Sequence, residues 1–306
     1  MSVPLRFDYH RPATLVEALQ LAADLESAVF IAGGTDLLVR MKSGLTGARH
    51  LISLRRLDEL RGVEVDEQGV TIGAAATLAD LQAHATLSER CGVLTQAIGT
   101  MASEQIRNTA TLGGNLCRAS PCADGGPPLI ALGARVRLVG PQGEREVEVE
   151  SFFTGPGQTS LRPGEALAAI RIDMPAPVAC GVYLKSGRVR VDLAFASLAA
   201  QLELEEDGET CKQVRLAAGA VSPTPVRLHA AEALLVGARV AGAGIQRDAL
   251  EEAAELARQA IVPISDIRAS ASHRRHITGV LARRAVEQAA VAAAAAGAGA
   301  KRGGRS

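Results

Sequence analysis

The chain is poor in aromatic rings: its 306 residues include no tryptophan, two tyrosines and five phenylalanines. That scarcity excludes a base-stacking platform for single-stranded nucleic acid. Neither sign of charge is in excess, since Lys+Arg and Asp+Glu stand at 33 each, so a polyanionic partner held by a basic stripe is not expected. Five cysteines (Cys91, Cys117, Cys122, Cys180 and Cys211) are too few and too scattered for a disulfide framework in a chain this long. No apolar run is long enough to span a bilayer. The opening MSVPLRFDYHRP lacks the basic-then-apolar layout of a secretion signal, and the expected location is cytoplasmic. What remains, 47% hydrophobic and 22% charged, is an ordinary globular composition with room for two or three domains.

Periodicity along the chain predicts an α+β protein. Thr14 precedes Glu17 by three and starts an apolar helical pattern at Leu15, Ala18, Leu19 and Ala22. A short buried strand in SAVFI runs into a Gly-Gly turn, and HLISL reads as a second strand. Alternation at Val63–Val65 and Val70–Ile72 around Gln68-Gly69 predicts a hairpin, after which Thr77 or a neighbour caps a helix into Leu81. Residues 91–108 read as helical, and two alternating strands flank the turn Pro141–Gly143. FFTGPGQTSLRPGE reads as a loop before a strand at Leu167–Ile172, and Pro175 with Pro177 marks a boundary. Strands continue to about residue 220. From Val221 the apolar spacing is helical with no strand signal, and the Ala/Gly-rich residues after 289 read as a disordered tail.

Two glycine pairs stand out. Gly33-Gly34 and Gly113-Gly114 each follow apolar residues and carry small polar neighbours, Thr35 and Asp36 in one, Thr111 and Asn115 in the other. Glycine lets a ligand approach the main chain closely, and successive N–H groups in such turns form an anion nest. Two nests on one diphosphate would need no lysine, and Asp124 is suited to accept from ribose hydroxyls. The plain alternative is two tight turns. Neither pair fits GxGxxG or GxxxxGK[ST], so Rossmann and P-loop folds are not indicated.

These segments, with their order and spacing, carry a resemblance. IAGGTDLL at 31–38, IGAAATLADL at 72–81, IRNTATLGGNLCRASPCAD at 106–124, FFTGPGQTSLRPGE at 152–165 and DIRASASHRRH at 266–276 resemble the FAD-binding medium subunit of the molybdenum hydroxylases. That is the family of carbon monoxide dehydrogenase and bacterial xanthine dehydrogenase. The resemblance implies a two-subdomain FAD-binding domain of the vanillyl-alcohol-oxidase/PCMH type over residues 1–177, divided at about 57/58. It further implies a C-terminal domain at 178–288, with a small antiparallel sheet and a helical bundle, before the tail at 289–306. By the same resemblance Ile31, Ala32, Gly33, Gly34, Thr35 and Asp36 cradle the FAD pyrophosphate together with Thr111, Gly113, Gly114 and Asn115. Asp124 would bind ribityl or ribose hydroxyls, Leu167 would pack on the flavin, and Lys185 would contact its ring. Met101 stands where some relatives place an aromatic, which leaves Tyr183 as a candidate for stacking, and His273 stands where others have tyrosine.

Cys117 and Cys122 lack the two further ligands that a zinc or iron–sulfur site needs, so no metal is expected in this chain. The histidines form no nucleophilic arrangement, no catalytic residue is assigned, and Arg268, Arg274 and Arg275 read as a solvated or interface helix face. The leading expectation is a non-covalent FAD subunit. It would receive electrons from the [2Fe–2S] clusters of a small partner and serve a large molybdenum-cofactor subunit, in a dimer of heterotrimers. A standalone FAD-dependent oxidase acting on its own substrate, and a scaffold with empty glycine turns, are the alternatives.

Overall fold

A computed structural model of the chain describes residues 6–241 and 244–303. The first subdomain holds β1 (Asp8–His10), α1 (Leu15–Asp24), β2 (Ala28–Ile31), α2 (Leu37–Lys42) and β3 (His50–Ser53), with a parallel sheet ordered β1-β3-β2. Thr14 caps α1 as its sequence predicts, its Oγ1 accepting from Glu17 N at 3.1 Å. The Glu17 carboxylate reaches back to Ala13 N at 2.7 Å, one residue beyond the usual capping-box donor.

The second subdomain begins with the predicted hairpin, β4 (Val63–Val65) and β5 (Gly69–Gly73). Its turn lies one step earlier than the sequence suggests, because Asp66 Oδ1 accepts from both Gln68 N and Gly69 N at 2.8 Å. Six helices follow: α3 (Leu78–Ala83), α4 (Ala85–Arg90), α5 (Gly92–Thr100), α6 (Glu104–Arg107), α7 (Leu112–Arg118) and α8 (Gly126–Ala131). The expected helix over 91–108 is therefore two. Ala102, at φ 45°, breaks it, and Arg107 Nη1 holds the break by donating to the carbonyls of Met101 and Ala102 at 2.9 Å. The chain then forms β6 (Arg135–Gly140), β7 (Gly143–Glu148), α9 (Val149–Phe152), β8 (Phe153–Gly155), β9 (Gln158–Thr159) and β10 (Ala166–Asp173). The main sheet has the order β4-β5-β10-β6-β7, and each of its pairs is antiparallel.

The C-terminal part consists of β11 (Cys180–Ser186), β12 (Ala196–Leu204), β13 (Cys211–Gly219), β14 (Val226–Arg227), α10 (His229–Leu235), β15 (Val240–Ala241), β16 (Gly244–Ile245), α11 (Arg247–Gln259) and α12 (Ala271–Gly303). In its sheet, β11-β12-β13-β14, the central strands β12 and β13 are buried on both faces along most of their length. Leu198, Ala200, Leu202, Leu216 and Ala218 point into a core shared with α10, α11 and α12, whereas Tyr183, Ala199 and Ala217 join the core of the second subdomain. The two-residue side-chain period thus fastens one sheet to both halves of the protein.

The structure departs from the sequence pattern at three places. Beyond Val221 the chain does contain strands: Val226 and Arg227 add to the edge of β13 opposite Ala218 and Ala217, and β15 pairs with β16. The reason is local, since Pro225 bars helix before Val226 and leaves an extended segment beside an open edge. The Ala/Gly-rich stretch is not a disordered tail, for α12 continues to Gly303 and buries Ala289, Ala290 and Ala293 completely. Alanine is the best helix former, and its small side chain lets the helix lie close on the neighbouring core. Residues 304–306 of that expected tail lie outside the described residues. Arg274 is not a solvated face residue. At 2% exposure it donates to Phe195 O, Ala220 O and Asp266 Oδ1 at 2.7, 2.9 and 2.8 Å, tying the start of α12 to the sheet.

Candidate functional site

β5 runs on into Ala74–Ala76, and this small-residue stretch receives the start of α7. Leu112 N donates to Ala76 O at 3.3 Å and Gly113 N to Ala74 O at 3.1 Å, while Leu78 N donates to Ala110 O at 2.9 Å. A methyl group on Gly113 would stand 2.5 Å from Ala74 O, so only glycine permits the approach. Thr111 caps α7, its Oγ1 accepting from Gly114 N at 3.1 Å, and Asn115 N donates to Thr111 O at 3.0 Å.

The loop Ala32–Asp36 leaves the carboxyl end of β2 and lands on this element. A Cβ on Gly33 would lie 2.2 Å from Thr109 O and 2.9 Å from Ala110 Cα, which places the loop in direct contact with residues 109–110. Gly34 takes φ +68°, a conformation that favours glycine. Asp36 Oδ2 pairs with Arg118 Nε at 2.8 Å, clamping the first loop to the end of α7. The two glycine pairs, far apart in sequence, meet.

They do not meet as equals. The N–H groups of Gly33, Gly34 and Thr35 form no hydrogen bond within the described chain. Those of Leu112, Gly113, Gly114 and Asn115 are all engaged. The first turn keeps its three N–H donors unpaired among the described residues; the second is the shelf on which it rests. Gly113 is buried beneath the site, not on its surface, whereas Gly114 is exposed and shares one helix face with Cys117, three residues on. From the second segment the groups suited to face a ligand are the Thr111 hydroxyl proton and the Asn115 side-chain NH2. Asn115 Oδ1 itself accepts from Gly125 N at 3.2 Å and fixes the residue after Asp124.

Asp124 is 6% exposed. Its Oδ1 accepts from Tyr183 Oη at 2.6 Å and its Oδ2 from Lys185 Nζ at 2.7 Å, and that ammonium also donates to Thr100 O at 3.2 Å. Burial pushes the Asp124 carboxyl above its ordinary range, against the pull of Lys185. Burial and then the Asp124 charge hold the Tyr183 phenol well above its ordinary value, so its proton stays in place as a donor. Tyr183 is corrected as a stacking residue: its ring is 6% exposed and packed in the core. Met101 and Leu167 are in the same core, at 5% and 4%, and Leu167 lies opposite Leu138 on β6. Ile31, at 8%, ends β2 beneath the first loop, while His273 is exposed with its ring 6.4 Å from Phe195.

Spacing alone does not reveal Arg118 or Ala74, and gives Thr77 only as the cap of α3. Thr77 bridges to Thr111 and sets the caps of α3 and α7 side by side, and the only sequence trace of this is the repeated Ala-Thr-Leu at 76–78 and 110–112. Among the described residues no three His, Cys, Asp or Glu side chains converge as a metal site would require, and no helix is long and apolar enough to cross a membrane.

Comparison with known proteins gives this geometry its family. Residues 5–175 match the model for the FAD binding domain in molybdopterin dehydrogenase, and residues 181–289 match the CO dehydrogenase flavoprotein C-terminal domain. The carbon monoxide dehydrogenase medium chain of Afipia carboxidovorans is 35% identical, over 94% of this chain and 98% of its own. A xanthine dehydrogenase FAD-binding subunit of Escherichia coli O157:H7 is 33% identical, over 93% and 96%. The solved Cu,Mo-CO dehydrogenase superposes with a TM-score of 0.90 at 34% identity, covering 95% of this chain and 99% of that one. Quinoline 2-oxidoreductase from Pseudomonas putida 86 gives 0.89 at 30%, covering 96% and 100%. The chain therefore belongs to the oxidoreductase family whose members join the FAD-binding domain of molybdopterin dehydrogenases to a CO dehydrogenase flavoprotein C-terminal domain.

Proposed function

We propose that this chain is the electron-transfer subunit of a heteromeric molybdenum hydroxylase, holding FAD without a covalent link. Electrons would arrive from the [2Fe–2S] clusters of a small partner, after substrate oxidation in a large partner with the molybdenum cofactor, and would leave to an external acceptor. The working assembly is a dimer of such heterotrimers in the cytoplasm, and the chain divides functionally near residue 177. The observation that carries this reading is the contact of Gly33 with Thr109 and Ala110, which sets an unpartnered N–H nest beside the Thr111 cap.

The chain's own groups have distinct tasks. The N–H groups of Gly33, Gly34 and Thr35 would hold the diphosphate, with the hydroxyls of Thr35 and Thr111 as further donors. The side chains of Asn115, Asp124 and Lys185 would serve the hydroxylated and ring portions, and Tyr183 keeps Asp124 oriented at 2.6 Å. The ion pair of Asp36 with Arg118 keeps the nest closed on its shelf. When bound, FAD supplies the redox chemistry, and the protein's part is binding, orientation and electrostatics. No side chain here acts as acid, base or nucleophile on the organic substrate.

The test is direct. The purified chain should be yellow, releasing one FAD per chain on denaturation, with the polypeptide left colourless. It should not turn over a small alcohol or heterocycle by itself. A chain that takes up no flavin, or one that oxidises such a substrate alone, defeats the proposal.

A further inference from the structure

A hollow of about 430 Å³ opens at the carboxyl ends of β1 and β3, lined by Tyr9, Arg11, Ser53, Arg55, Arg56 and Arg61. Four guanidinium groups therefore surround one concavity in a chain whose net charge is zero. Arg11, Arg55 and Arg56 form no ion pair among the described residues, and Arg61 has only an exposed contact with Asp58 at 3.7 Å. No Asp or Glu lines the hollow, and two carboxylates near it in sequence are engaged elsewhere: Glu59 Oε1 accepts from Leu15 N at 2.6 Å, and Asp8 faces His50 at 3.5 Å. Gathering like charges without counter-charges is unfavourable, and a bound anion relieves it.

The walls specify the anion. Guanidinium forks match phosphate oxygens two at a time, and four of them exceed what one phosphate can use. The Tyr9 ring, 47% exposed, carries the Arg11 guanidinium 5.4 Å from its centroid, and such a flat cationic–aromatic pair is a platform for a purine. The position fits as well, since parallel strands present ligand sites at their carboxyl ends. Ser53 pairs with Ile31, and Leu54 N donates to Ile31 O at 2.8 Å, so the hollow lies one strand, about 5 Å, from the strand that feeds the glycine nest.

We propose that this hollow binds the adenosine diphosphate half of a dinucleotide electron acceptor, outside the flavin's own cradle. The assignment rests on the flavoprotein reading above. A concave site favours a small polyanion over the flat acidic face of a protein.

The test uses the full chain saturated with FAD, so that added ADP does not report on the flavin cradle. Titration calorimetry should show one ADP per chain, bound at least about tenfold more tightly than inorganic phosphate. The variant Arg55→Glu/Arg56→Glu should weaken ADP at least about tenfold with unchanged flavin content and thermal midpoint. Tyr9→Ala should weaken ADP but not inorganic phosphate. Arg11→Gln, a milder change just past the end of β1, should also weaken ADP and guards against misfolding of the double variant.

The proposal fails if the FAD-loaded chain binds no ADP, or if ADP binds and the arginine variants leave its affinity unchanged. It also fails if those variants lose FAD together with ADP, which would assign the arginines to the flavin cradle. Charge reversal that spares ADP but releases a partner chain would make the hollow a protein interface. A chain that takes up no FAD fails at the earlier step, visible in its absorbance before any ADP is added.

Discussion

Asp124 and Lys185 form a buried ion pair, 2.7 Å between Oδ2 and Nζ, with side-chain exposures of 7% and 6%. The pair joins the loop after α7 to the first strand of the C-terminal sheet, so it locks the two domains at the candidate site. Removing one partner strands a charge in a low-dielectric setting, whereas removing both does not. Lys185→Met is expected to destabilise the protein by about 3–5 kcal/mol, and Lys185→Met/Asp124→Asn by clearly less. Urea unfolding of the two variants measures the difference, and equal losses would show that the pair carries no coupling.

Gly33→Ala places a methyl group 2.2 Å from Thr109 O and must push the first loop off its shelf. FAD retention on gel filtration should fall about tenfold or more, while the circular dichroism of the chain stays near wild type. Gly44→Ala is the control, because nothing lies within 4 Å of its Cβ although φ is +69°. It should lose a little stability and no FAD.

Arg118→Gln removes a pair whose side chains are 34% and 52% exposed. Such pairs contribute about 0–1 kcal/mol to folding, so the melting temperature should move little. Flavin affinity should fall further than stability does, because the lost contact clamps the nest. A titration of the apoprotein with FAD, set beside a thermal melt, separates the two effects.

Glu165 accepts two hydrogen bonds from Arg145, at 2.8 and 2.7 Å, and that partnership lowers its carboxyl from the usual 4.5 to about 2. The folded value lies below the unfolded one, so the stabilisation is full above about pH 4.5 and is lost as pH falls through about 2. Glu165→Gln should be less stable than wild type at pH 7, and the two should converge in acid. Denaturation midpoints at pH 7, 4 and 2.5 test the sign, and a constant gap would assign the effect to packing.

Much of the architecture was legible because it is written in local chemistry. The Thr14 cap, the hairpin around 63–72 and the strands flanking 141–143 depend on residues within one turn or one hairpin of each other. The two glycine pairs were legible as turns for the same reason. Their different roles were not. Whether an N–H group is free depends on which carbonyl stands opposite, and the partners of Gly113 and Leu112 come from residues 74–76, across the chain. Arg118 was missed because a lone arginine in NLCRAS has no pattern of its own until Asp36 folds against it. Arg274 reads as a surface residue because its neighbours His273 and Arg275 are polar, and only Asp266 and the carbonyls of Phe195 and Ala220 make its burial tolerable.

By itself, then, the sequence determined the α+β class, the family and most of the elements before Val221, since periodicity, capping and glycine placement act over short stretches and their order is specific. The tertiary structure decided which of the two glycine turns keeps its donors, that Asp124 is held by Tyr183 and Lys185, and that the Ala-rich end is a packed helix. It also gathered Arg11, Arg55, Arg56 and Arg61 around one hollow. All of these depend on contacts between distant segments, and hydrogen-bond satisfaction and burial are fixed only when those segments meet.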